Sequence, residues 1–147
     1  MKRESINRLH ELLQNIPERI NQVKDENFAL KPHPDKWSKK QILGHLIDSA
    51  ANNHQRFIRI QYEDVPTIVY DQNKWNELNH YETLDRDHVL TLWTLFNKHI
   101  LEVVQHIPEE QLSRTGSTGL PQPATLGFLI DDYVEHMEHH LRQIVQY

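Results

Sequence analysis

The sequence predicts an all-α protein, a four-helix bundle with one long crossover connection. Two observations lead to this prediction. Apolar residues recur every three or four positions over four stretches of about 20 residues each, which is the helical period. The chain of 147 residues has only four glycines, which is few for a turn-rich sheet protein. This length is sufficient for one hydrophobic core, so residues 1–147 are expected to form a single domain.

The first two helices are indicated by apolar stripes and by one capping motif. The first stripe covers residues 5–23, and Pro17 within it predicts a kink or a break. A proline-containing loop follows. Ser38 and Gln41 then have the spacing of a capping box, so the second helix is expected over residues 38–61.

The second connection is unusually long. Residues 66–84 contain no extended periodic stretch, although one or two helical turns are expected over residues 71–78. A connection of this length should pack against the bundle or take part in function. We therefore interpret it as a crossover that makes the second and third helices parallel, in an up-down-down-up order. That order sets the second and fourth helices antiparallel.

The last two helices have clear boundaries. The third is expected from Asp85 to about His106, and Pro108 ends it. A loop over residues 113–123 is rich in Gly, Ser, Thr and Pro, and Thr125 is a suitable N-cap for the fourth helix.

Composition excludes several classes of function. The 16 basic and 21 acidic side chains give a net charge of −5 with no dense basic patch, which argues against nucleic-acid binding. No apolar run approaches the length of a membrane span, and the N-terminal residues lack the apolar core of a signal peptide. The absence of cysteine excludes disulfides and thiolate ligands, and it is typical of a cytoplasmic protein.

Two histidines on the fourth helix are candidate metal ligands. His136 and His140 are spaced i, i+4 and so share one face, whereas His139 and Glu135 turn away from it. His140 falls within the apolar face of the helix and His136 lies at its edge. Two neutral imidazoles side by side there lack mutual hydrogen-bond partners, and a divalent metal would take one nitrogen from each. The alternative is that each is a core histidine bonded to another side chain or to water.

A third ligand is expected from the second helix. His54 lies within the apolar face, but the height along antiparallel helices favours His45, which lies roughly 10 Å from the start of its helix. Geometry favours His45 without deciding between the two. The remaining bundle histidines lack a partner at ligand spacing and are interpreted as surface or capping residues: His10, His88, His99 and His106.

A polar line runs along the second helix just beyond the edge of its apolar face. It consists of His45, Ser49, Asn52 and Arg56, spaced four, three and four. Taken alone, this line is interpreted as a solvated face.

Several of these segments together resemble the DinB/YfiT-like superfamily. Lys36-Trp37-Ser38 leading into residues 42–49 resembles the opening of that family's second helix. Tyr70-Asp71 followed by Trp75 is similar to a pairing in the family's crossover, and residues 136–144 resemble its closing histidine-rich signature.

This resemblance implies a metal held by three histidines, which are His45, His136 and His140 in this chain. It also implies a divalent ion, zinc or nickel first and iron or manganese next, and a homodimer. Related activities include transfer reactions that use low-molecular-weight thiols, and many members are described as metal-dependent hydrolases. The resemblance therefore suggests a small-molecule substrate.

Two functions follow as hypotheses. In the first, the chain is a metal-dependent hydrolase or thiol transferase in which Asp48, one turn from His45, orients a ligand or accepts a proton. A surface carboxylate near a Lys or Arg is the alternative for Asp48. Asn52 and Arg56 could bind an anionic substrate. In the second, the chain is a non-catalytic metal-binding or stress-response protein. A DNA-associated role is disfavoured by the acidic balance.

Overall fold

The computed structural model describes residues 2–147 and contains six α-helices within that range. Four of them are long and form the bundle. Single 3₁₀ turns occupy Tyr81–Thr83 and Glu109–Gln111. The α-helices are α1 (Lys2–Asn21), α2 (Asp25–Ala29), α3 (Lys39–Arg59), α4 (Gln72–Asn79), α5 (Arg86–His106) and α6 (Leu126–Leu141). Two short strands, β1 (Thr115–Gly116) and β2 (Ala124–Thr125), pair antiparallel before α6.

Contacts between helix ends establish the directions of the four long helices. Arg86 at the start of α5 donates to the carbonyl of Ile20 at the end of α1, so these two helices are antiparallel. Lys40 contacts the residues that precede α5, and His54 packs on Phe96 further along, so α3 and α5 are parallel.

The remaining direction follows from α6. Near its start α6 contacts the beginning of α1, through the hydrogen bond between Ser5 and Asp131. Further along, Arg8 pairs with Glu138 at 2.6 Å. Thus α6 is parallel to α1 and antiparallel to α3. The predicted four-helix bundle with up-down-down-up order is confirmed.

Caps and packing explain the helix boundaries. Ser38 and Gln41 form the predicted capping box at the start of α3. Asp85 accepts from the backbone N–H of His88, and Thr125 accepts from that of Phe128, so the third and fourth bundle helices also begin as predicted. Asp71 caps α4 in the crossover, where one or two turns were expected.

Two local predictions were incomplete. Helix α1 continues through Pro17, so the break that was allowed at this residue is absent. Ile16 and Ile20 on either side of Pro17 are fully buried, and their packing stabilises the helix there. The five-residue helix α2 follows α1 and overlaps the first two residues of the loop expected over residues 28–37, and it is too short to show periodicity. Its Phe28 is buried and lies 4.8 Å below the Arg86 guanidinium.

The core lies between the four long helices and includes Trp93, Phe57 and Met137, each almost completely buried. No helix within residues 2–147 is both long and apolar enough to cross a membrane.

Candidate metal centre

Three histidines from two antiparallel helices converge in the structure. His45 comes from α3, while His136 and His140 come from α6, one turn apart. One ring nitrogen from each lies within 4.8 Å of those of the other two. His45 is buried, and the two α6 histidines are half-buried, so the cluster is reached from the α6 side. Because α3 and α6 are antiparallel, His45 near the start of α3 lies level with His136 and His140 near the end of α6.

The spacing of these nitrogens fits a transition-metal ion. The Nε2 atoms of His45 and His136 are 3.2 Å apart. Two nitrogens bound to one zinc at about 2.0–2.1 Å are expected to be about 2.9–3.4 Å apart. Pairwise separations of up to 4.8 Å place a common point within about 2.8 Å of all three nitrogens, and small ring rotations would shorten this to the zinc–nitrogen length of about 2.0–2.1 Å. Three imidazoles also leave at least one coordination position for a water or a substrate.

The surroundings keep these imidazoles neutral, which is the form that binds metals. Burial, followed by the neighbouring His136 and His140, lowers the pKa of His45 to about 3. Burial, His140 and His139 lower the pKa of His136 to about 4. The pKa of His140 is also lowered, mainly by burial. At neutral pH the cluster therefore presents unprotonated nitrogens.

Gln143 orients the most exposed ring of the cluster. The Nδ1 atom of His140 lies 3.0 Å from the Oε1 atom of Gln143, so Nδ1–H donates and Nε2 keeps its lone pair. His45 differs, because its Nδ1 atom is buried without a hydrogen-bond partner among residues 2–147. The centroid of the His45 ring lies 4.9 Å from that of the Trp37 ring.

Asp48 lies one turn after His45 and is buried, with 1% of its surface exposed. Its Oδ1 atom accepts from the Tyr81 hydroxyl at 2.6 Å and from the Asn79 amide at 2.8 Å. Its Oδ2 atom is buried and has no partner in the described chain. Burial raises the pKa of Asp48 to about 6, although both hydrogen bonds act in the opposite direction. A carboxyl with a pKa near neutrality is suited to proton transfer.

Comparison with known proteins identifies the family. The model of the DinB superfamily matches residues 5–144. This chain belongs to the DinB superfamily. The resemblance inferred from the sequence is thereby confirmed.

Relatives of this DinB superfamily chain carry names that refer to metals. This chain is 27% identical over 146 residues to the "Putative metal-dependent hydrolase YfiT" of Bacillus subtilis (strain 168). The match covers 92% of this chain and 80% of that protein. This chain is 24% identical over 148 residues to a protein of the same description from Oceanobacillus iheyensis, with 95% and 85% covered.

Solved structures show the same architecture. The structure of YfiT from Bacillus subtilis, described as "a probable metal-dependent hydrolase with an unusual four-helix bundle topology", has a TM-score of 0.87 and 25% identity, covering 97% of this chain and 83% of that one. A mycothiol-dependent maleylpyruvate isomerase has a TM-score of 0.80 over 98% of this chain and 60% of its own. At 11% identity, that likeness shows the fold alone.

The polar line on α3 of this DinB superfamily chain is not a solvated face, and that interpretation was wrong. His45, Ser49 and Asn52 are at most 3% exposed. Arg56 is half-buried and donates to the carbonyl of Ile68 at 2.9 Å. Helix α6 covers His45 and the crossover covers Arg56, so residues beyond the apolar edge become interior. Similarly, Asp48 is not the surface carboxylate considered as its alternative.

Among the other histidines, His139 adjoins the cluster, with its ring centroid 5.0 Å from that of His140, whereas His54 and His99 pair with each other. His54, the rejected third ligand, packs edge-on against His99 with ring centroids 5.4 Å apart. His99 therefore has a histidine neighbour. Spacing within one helix could not show this, because His54 lies on α3 and His99 on α5. His139 is exposed, as expected from its position on α6.

Sequence reasoning missed the two partners of Asp48. Tyr81 and Asn79 lie in the crossover, 33 and 31 positions from Asp48, so no spacing rule could link them. One signal was present in the chain: Gly44 immediately precedes His45 inside a helix, where glycine is unfavourable. A Cβ at Gly44 would lie 2.2 Å from the Tyr81 ring, so only glycine admits that ring.

Proposed function

We propose that this chain is a metal-dependent enzyme that acts on a small molecule, as a hydrolase or as a thiol-dependent S-transferase. The observation that supports this most directly is the convergence of three neutral imidazoles, with a buried carboxyl one helical turn after His45. Relatives described as metal-dependent hydrolases support the same conclusion.

His45, His136 and His140 would hold the metal, which we propose to be zinc or nickel, with iron or manganese as alternatives. Imidazole nitrogens suit all of these ions, and availability decides among them. A divalent ion in such a site makes a bound water or thiol more acidic and polarises a substrate oxygen.

Asp48 would serve as the general base. Tyr81 and Asn79 hold its Oδ1 atom, which leaves Oδ2 as the atom that receives a proton. Because the pKa of Asp48 is about 6, the carboxylate form predominates at pH 7 and can take up a proton from a nucleophile. The half-buried His136 and His140 leave an approach for a small substrate on the α6 side.

A low-molecular-weight thiol is the proposed co-substrate of the transferase alternative. This part rests on the family resemblance and on the coordination position that three histidines leave open. The proposed homodimer and cytoplasmic location rest on the resemblance and on the composition.

Metal content tests the proposal. Full-length protein without a histidine tag would be purified as wild type, His136→Ala and His88→Ala, and each would be assayed for bound divalent metal. We expect about one ion per chain in wild type and in His88→Ala, because His88 is exposed and outside the cluster, and almost none in His136→Ala. An equal content of bound metal in His136→Ala and wild type would contradict the three-histidine site.

Activity then separates the two reactions. Metal-loaded wild type would be assayed for hydrolysis of activated esters and for consumption of a small thiol against an electrophile, with Asp48→Asn in parallel. Loss of at least about 100-fold in Asp48→Asn with metal retained is expected for a general base.

A further inference from the structure

A cationic cavity lies at the end of the bundle where α3 begins and α6 ends, and one of its lining residues, Gln143, contacts the histidine cluster. Its volume is about 450 Å³. We call it the basic groove. It is lined by Arg19 at the end of α1, Lys39 in the first turn of α3, Arg142 after α6, Gln143 and neighbouring residues.

The charge of the basic groove is opposite to that of the whole chain. Three cationic side chains line it and no carboxylate side chain does so within the described chain, although the net charge of the protein is −5. Arg19 donates to the backbone carbonyl of Gln146 at 3.1 Å, which is an uncharged partner. Arg142 has a carboxylate neighbour, Glu138, at 3.4 Å, but Glu138 is bound more closely by Arg8 at 2.6 Å. The groove therefore keeps an excess of positive charge.

Gln143 connects the basic groove to the histidine cluster. Its Oε1 atom accepts from Nδ1–H of His140, and the same residue lines the groove. The Nε2 amino group of Gln143 therefore keeps two N–H donors for a ligand in the groove. One amide thus contacts a cluster imidazole with one end and can contact a bound anion with the other.

The distance between the two sites suits a small molecule. Lys39 precedes His45 by six residues on α3, which is about 9 Å along the helix axis. Gln143 lines the groove and contacts the His140 ring, so it links the two sites directly. A molecule about as long as this axial distance could therefore place one end at the cluster and the other in the groove.

We propose that the basic groove binds the anionic group, a carboxylate or a phosphate, of the small molecule that reacts at the three-histidine site. This inference rests on the proposed function and names the class of its substrate. The cations and the Gln143 amide would hold the anionic end by charge-assisted hydrogen bonds, while the reacting end lies at the cluster.

Binding of simple anions tests the inference without an assay of activity. Inorganic phosphate and malonate would be titrated at constant ionic strength into the full-length chain, zinc-loaded and EDTA-treated, while amide shifts are followed by ¹H–¹⁵N NMR. We expect saturable shifts at Lys39, Arg142 and the Gln143 side chain in both forms. The anion that shifts these amides at the lower concentration identifies the phosphate or the carboxylate class.

Two variants make the test specific. Gln143→Glu keeps an acceptor for His140 but replaces the amide donors with a negative charge, and Lys39→Gln removes a cation without contacting a histidine. Each should weaken anion binding at least about fivefold. Gln105→Glu carries the same charge change on an exposed part of α5 and should bind like wild type.

The outcomes separate this inference from the proposed function. Three results would overturn the inference that the groove binds anions. They are unshifted amides in wild type, an unchanged affinity in Lys39→Gln, and binding that is seen only in the zinc-loaded form. A wild-type chain that binds phosphate in the groove but holds no zinc would instead contradict the metal enzyme and leave the groove as an anion site.

Discussion

The Nε2 atoms of His45 and His136 lie 3.2 Å apart, although 91 positions separate the two residues in the chain. Both nitrogens belong to rings whose pKa values are lowered by burial, so neither ring is charged at neutral pH. Two such rings can share at most one proton in a hydrogen bond, and His140 adds a third nitrogen to the same space. A shared cation satisfies all three lone pairs at once.

Zinc affinity should depend only weakly on pH in the mildly acidic range. Three histidines with the ordinary pKa of about 6.5 would lose roughly 1,000-fold in affinity between pH 7.5 and pH 5.5, because each proton competes with the metal. With the pKa of His45 near 3 and that of His136 near 4, only His140 competes, so we expect a loss of about tenfold or less. Competition with a calibrated chelator at both pH values measures this. A 1,000-fold loss would mean that the free rings titrate as in solution.

Asp48→Asn should stabilise the metal-free protein at pH 7.5, although it removes the proposed general base. The pKa of Asp48 is raised to about 6 in the folded state, so ionisation of this buried group costs stability above pH 6, and the cost disappears as pH falls towards 4. Asparagine keeps an acceptor for Tyr81 and carries no charge.

We expect a gain of about 1–2 kcal/mol at pH 7.5, or about 3–6 °C in melting temperature, that shrinks between pH 6 and pH 4. Thermal melts in EDTA at several pH values measure it. Asp64→Asn, at an exposed site, is the control and should change little. A variant less stable than wild type at pH 7.5 would show that the carboxylate is stabilising.

Gly44→Ala should destabilise the bundle and disturb Asp48. The added methyl group would lie 2.2–2.7 Å from three atoms of the Tyr81 ring, so the ring must move and its hydrogen bond to Asp48 is lost. Alanine is the better helix former by about 1 kcal/mol, but we expect a net loss of about 2 kcal/mol or more in the free energy of unfolding.

Gly127→Ala is the matched control for this measurement by chemical denaturation. Gly127 lies near the start of α6, and a methyl group there would meet only ordinary contacts, the nearest at 3.5 Å. It should be neutral or slightly stabilising. Equal effects of the two substitutions would argue against the close packing of Tyr81 on Gly44.

Chelation should lower the melting temperature without unfolding the protein at 25 °C. The cluster lies in a bundle whose core contains fully buried residues such as Trp93 and Phe57, so the metal is not needed to form the helices. At a free zinc concentration of 100 times the dissociation constant, binding contributes about 2.7 kcal/mol. Far-UV circular dichroism with and without EDTA tests this, and loss of the helical signal at 25 °C would favour a structural metal and the non-catalytic alternative.

Local patterns determined most of the fold. The Ser38 box, Asp85 and Thr125 each mark a helix start through a side chain that caps a neighbouring N–H, and such a signal is complete within four residues. The long crossover predicted the parallel pair α3 and α5, because chain length limits how the next helix can return.

Some features of the candidate site could likewise be predicted from local spacing, and others could not. The pairing of His136 with His140 was visible in the sequence, since i, i+4 residues of a helix always share a face. Helix height and the family resemblance already favoured His45 over His54, and the structure brings His45 to the pair. The burial of Asp48 and its hydrogen bonds to Tyr81 and Asn79 were decided by tertiary structure alone. Those relations depend on the rotation and height of one helix against another and on where the crossover packs, and no spacing along the chain encodes either quantity.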